Sequence, residues 1–125
     1  LLLSAWLLNA QLDPAAQSAA LAASTAAGGL YNTIMVADVG NCEVAEFQNA
    51  TAQAYAVQTL TQNFLNGGAT SSAADQILQL ATDFSTNVLL NWPACWDAEA
   101  QRVLTSAIGV IQQEMQIVSN ALNGQ

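Results

Sequence analysis

From residue 42 to residue 65 the apolar positions Val44, Phe47, Ala50, Ala54, Val57, Leu60, Phe64 and Leu65 recur every three or four places. That spacing keeps side chains on one face of an α-helix, and Asn66-Gly67-Gly68 supplies a stop after about six turns. A second run follows. Ser72 stands three residues before Asp75, as in a capping box, and leads into Ile77, Leu80, Ala81, Phe84, Val88 and Leu89 on one helical face. Pro93 pushes the residue before it out of the helical region, so this helix is predicted to stop near Asn91. The last run begins near Asp97 and carries Val103, Leu104, Ala107, Ile108, Ile111, Met115, Val118 and Leu122, with Val110 and Ile117 widening the apolar face. Asn123-Gly124 is its expected terminator.

Nearer the start, Asp13-Pro14 reads as an N-cap followed by proline at the first helical position, where its missing N–H costs nothing. The Ala-rich stretch 15–27 is strongly helix-forming, and Gly28-Gly29 is expected to end or loosen it. Residues 30–39 contain β-branched side chains, but no partner strand is visible, so helix is predicted over strand there. The apolar residues 1–8 resemble the centre of a signal peptide yet carry no basic flank and no initiator Met. They are read as the first element of a mature or trimmed chain, with residual targeting sequence as the alternative; the amphipathic piece 1–12, which includes Trp6, is suited to cap the bundle, cover a cavity or dock to a partner.

These elements predict an all-α fold, an antiparallel bundle of four to five helices spanning residues 1–125 as one domain. The two cysteines agree with it. Cys42 opens the segment 42–65 and Cys95 just precedes the last one, and three consecutive helices running up, down and up bring those two starts to one end. A Cys42–Cys95 disulfide is therefore expected, two cysteines being too few for a structural zinc site without histidines and too far apart for a redox CxxC pair.

Composition narrows the function. The chain has 125 residues, 53% hydrophobic and 8% charged, with nine carboxylates, one basic residue (Arg102), no histidine and a net charge of −8. Nucleic-acid binding needs clustered Lys and Arg to replace phosphate counterions, and attraction to anionic membranes needs them too, so both are excluded. No apolar run approaches the roughly 20 residues of a transmembrane helix. The disulfide, the absence of Lys and one N-x-T sequon, Asn49-Ala50-Thr51, together point to a secreted protein with a glycosylation candidate at Asn49.

Without His or Lys, the common nucleophile–base pairs cannot be assembled, and no catalytic residue, metal site or cofactor is implied. Glu43 and Glu46 share a helix face, but a di-iron bundle would also want Glu-x-x-His motifs. A calcium site from Asp38, Asn41, Glu43 and Glu46 lacks the glycine and spacing of an EF-hand loop. Asp13, Glu43, Glu46, Asp75, Asp97 and Glu99 instead fall in or beside predicted first turns, where negative charge complements the helix dipole. Arg102 lies three residues after Glu99, the spacing of a local ion pair.

What remains is the surplus of apolar residues. It predicts a non-enzymatic protein that binds a fatty-acid-like or sterol-like ligand, or a hydrophobic surface. The expected lining of an interhelical site is Phe47, Val57, Phe64, Phe84, Val88, Leu104, Ile108, Ile111 and Met115. The tryptophans of residues 89–96, Trp92 and Trp96, are expected to anchor a loop beside the disulfide or to line an apolar mouth. The alternative is a structural protein forming homo-oligomers, its association favoured when acidification removes the self-repulsion of its carboxylates. In composition the chain resembles secreted helical proteins of fungal cell walls that bind lipids or hydrophobic surfaces, and the helical domains of silk proteins. No motif carries that resemblance, so it implies no functional residues.

Overall fold

The computed structural model describes residues 12–123, which form four helices: α1 (Pro14–Val36), α2 (Val44–Leu65), α3 (Ser71–Phe84) and α4 (Ala98–Asn123). The element expected at residues 1–8, with Trp6, and the terminator Gly124 lie outside the described residues. Each helix packs on two others in a closed cycle, α1 on α2, α2 on α3, α3 on α4 and α4 back on α1. Short connections make successive helices antiparallel, and the Cys42–Cys95 disulfide, with Cα atoms 6.3 Å apart, holds the starts of α2 and α4 at one end. The all-α antiparallel bundle read from the sequence is the fold.

Helix α1 starts as the sequence predicts, with Asp13 Oδ1 accepting the Ala16 N–H at 2.7 Å and Pro14 in the first turn. It does not stop at Gly28-Gly29. The buried stripe Ala16, Ala19, Ala20, Ala23, Ala27, Leu30 and Ile34 runs straight through the glycine pair. Two glycines cost a helix about 2 kcal/mol relative to alanine, whereas burying Leu30 and Ile34 stabilises it by roughly 3–6 kcal/mol, so burial decides. Residues 30–36 are accordingly helical, and residues 37–43 form the connection.

Three further boundaries differ from expectation. Cys42 lies before α2 rather than in it, and Glu43 occupies the N-cap in the left-handed region (φ 51°) without a side-chain cap bond. Helix α3 is capped by Thr70, whose hydroxyl accepts the Ala73 N–H at 3.0 Å, so Ser72 is not the cap and Asp75 stands beyond the first turn. After Phe84 the chain widens into one π-helical turn, Ser85–Leu89, closed by the Leu90 N–H bonding Ser85 O at 3.0 Å. Asp97 does cap α4, its carboxylate accepting the Glu99 N–H at 3.0 Å.

The core is built from small and medium side chains: alanines of α1 and α2 face Phe64, Ile77, Phe84, Leu104, Ile108, Ile111 and Met115. Four positions assigned to apolar faces point outward instead, Val44, Val103, Val110 and Ile117. The α4 stripe that faces the core is narrower than the sequence suggests.

Candidate functional site

At the disulfide end, the loop between α3 and α4 is folded back by its two indoles. Trp96 is buried and donates its Nε1–H to Cys42 O at 2.7 Å, bridging to the connection before α2. Trp92 donates to Asp97 O at 3.1 Å, at the start of α4. The rings of Phe47 and Trp92 each meet Trp96 edge to face, with centroids 5.1 and 4.9 Å away. Such pairs stabilise by about 0.5–1.5 kcal/mol beyond the area they bury. The indoles thus anchor the loop beside the disulfide.

Next to this cluster lies an open groove of about 450 Å³ between α2 and the π turn. Its floor is Ala50, Val88, Pro93 and Trp96, and its rims carry the N-cap Glu43 and Glu46, Asn49 and Gln53 of α2 on one side and Asn87 and Asn91 on the other. The π turn lines one side of it with Asn87 and the buried Val88. Asn91 is committed to the carbonyls of Thr86 and Asn87. Glu43, Glu46, Asn49, Gln53 and Asn87 make no side-chain hydrogen bond or ion pair among the described residues.

The residues nominated for an interhelical ligand site are placed as follows. Val57, Phe64, Phe84, Val88, Leu104, Ile108, Ile111 and Met115 are buried together in one core cluster of the described residues, and Phe47 is half-buried against it. Of these, Val88 also lines the groove. Asn49, the sequon residue, is exposed on the groove rim. Arg102 pairs with Glu99 on the exposed side of α4, as their spacing predicts.

A different surface is distinguished by what it lacks. Helix α1 has no charged residue in its 23 positions, and Leu21, Met35 and Val36 on it are 58, 55 and 82% exposed. Leu21, Ser24, Gly28, Tyr31 and Met35 follow one another at three- and four-residue steps along the flank facing α2. Tyr31 meets Tyr55 of α2 there, with ring centroids 5.3 Å apart, and Tyr55 is itself 54% exposed. The carboxylates stand at helix starts, in the connections or on the other helices. An uncharged strip with protruding apolar side chains therefore runs along one side of the bundle.

Sequence reasoning missed the π turn and a bond between helices in which Ser119 Oγ donates to Asp75 Oδ1 at 2.8 Å. No local pattern marks the π turn, since Val88-Leu89-Leu90 reads as an ordinary apolar run at the end of a helix. No protein family, curated protein or solved structure significantly matches this chain.

Proposed function

We propose that this chain is a secreted, non-enzymatic protein that binds hydrophobic surfaces and the apolar molecules presented on them, with α1 as the contact. The observation carrying this reading is an uncharged helix that exposes Leu21, Met35 and Val36, with its Tyr31 against the half-exposed Tyr55 of α2. Soluble domains ordinarily keep such residues scattered among charges, because desolvating a charge against an apolar surface is costly and desolvating an alkyl chain is favourable. Here the charge-free strip can be dehydrated at little cost. Bulk apolar material laid on it needs no chemistry from His or Lys, which the chain lacks.

Adsorption to alkyl-coated beads tests this directly. Replacing Leu21, Met35 and Val36 together by serine is expected to lower the affinity roughly a hundredfold, the equivalent of about 3 kcal/mol for three partly exposed side chains. Leu90→Ser, exposed in the loop after α3, is the comparison and should bind like the unaltered chain. Equal loss in both variants, or none in the triple variant, defeats the reading. Sedimentation at the same concentrations separates adsorption from burial of the strip between two copies of the chain.

A further inference from the structure

We propose that Asn49 is the acceptor for an N-linked glycan and that the groove between α2 and the π turn is where its first sugars rest. Two independent observations meet at this residue. Asn49-Ala50-Thr51 is the chain's one N-x-T sequon, with no proline in the middle. In the folded chain Asn49 is exposed, its amide uncommitted, on the rim of a groove of about 450 Å³ rather than against a neighbouring helix. Thr51 Oγ1 is engaged with Phe47 O at 2.9 Å inside α2, so the sequon is read before the helix forms and the fold has only to house the product.

The groove suits that product. A sugar ring presents hydroxyl and acetamido groups at its edge and C–H bonds on its face. The Gln53 and Asn87 amides offer donors and acceptors, the Glu46 carboxylate offers an acceptor, and Ala50, Val88 and Pro93 add apolar lining. A disulfide such as Cys42–Cys95 is the kind of bond that forms in the oxidising compartment where such transfer takes place. The donor is a lipid-pyrophosphate-linked oligosaccharide. The bond from Asn49 Nδ2 to the anomeric carbon forms as the carbon–oxygen bond to the pyrophosphate breaks, the lipid pyrophosphate leaves, and Nδ2 gives up one proton to the transferase. Asn49 faces the groove and Tyr55 faces α1, so the glycan leaves the α1 strip uncovered. The site stands or falls independently of surface binding.

The test is the intact mass of the full chain secreted from a eukaryotic host, before and after treatment with peptide N-glycosidase. A glycan-sized loss is expected from the unaltered chain, none from Asn49→Gln or Thr51→Ala, and a partial one from Thr51→Ser. A bare polypeptide mass in disulfide-intact secreted protein overturns the site. For the resting place, the side-chain amide NMR signals of Gln53 and Asn87 should shift between protein trimmed to one sugar and Thr51→Ala, while that of Gln113 on the outer side of α4 stays put. A sugar present without those shifts overturns the groove assignment.

Discussion

Gly109 stands on the exposed side of α4 with open space where a Cβ would go. A helix-interior glycine with no packing role costs backbone entropy alone, so Gly109→Ala is expected to stabilise the chain by about 1 kcal/mol and raise the melting temperature by roughly 3–5 °C. The glycines after α2 behave oppositely. Gly67 has φ of 112°, and a Cβ on Gly68 would come within 2.9 Å of Asn63 O. Gly67→Ala should lower the melting temperature, since an L side chain strains that backbone. Calorimetry of the two variants checks both signs. The sequence marked Gly67-Gly68 as a stop but could not separate it from Gly28-Gly29, because the two pairs differ in what lies beyond them and not in themselves.

Helices α3 and α4 are joined near the end away from the disulfide by Ser119, which donates to Asp75 and accepts from Asn123 Nδ2 at 3.1 Å. Ser119 is buried, so removing its hydroxyl leaves the Asp75 carboxylate without that donor. A double-mutant cycle of Asp75→Ala and Ser119→Ala in urea unfolding is expected to show a coupling of about 1 kcal/mol, and a coupling near zero would show the bond to be solvent-replaceable. In sequence Asp75 looked like a helix-start charge. Its real partner is 44 residues away and depends on how α3 and α4 are rotated against each other. The π turn was hidden too: the apolar spacing of Val88 and Leu89 reads as ordinary helix, and the turn is defined only by the Leu90 N–H reaching back five residues to Ser85 O.

Across the whole molecule, the disulfide ties residues 53 apart in the chain and closes a loop that contains all of α2, α3 and the π turn. Constraining the unfolded chain to that extent stabilises the fold by about 4 kcal/mol on the chain-entropy argument, so the Cys42→Ser, Cys95→Ser variant should lose that much in urea unfolding. A loss below about 1 kcal/mol would show that the Trp92–Trp96–Phe47 cluster alone holds this end. Charge is also organised at this scale. Glu43 and Glu46 stand on the groove and the other carboxylates are spread over the connections, α3 and α4, while α1 has none along its length, which leaves one uncharged strip.

The sequence by itself determined the helical class, the approximate positions of the helices, the Asp13 and Asp97 caps, the Glu99–Arg102 pair and the cysteine pairing. All of these follow from periodicity, local hydrogen bonding or chain topology, which act over a few residues or need only the order of the helices. Tertiary structure decided which flank of each helix is buried. It carried α1 through its glycines, turned Val103, Val110 and Ile117 outward, packed the nominated lining residues into the core and opened a groove beside Asn49. Those outcomes depend on rotations of helices about their axes, and such rotations are set by the packing of all four helices at once.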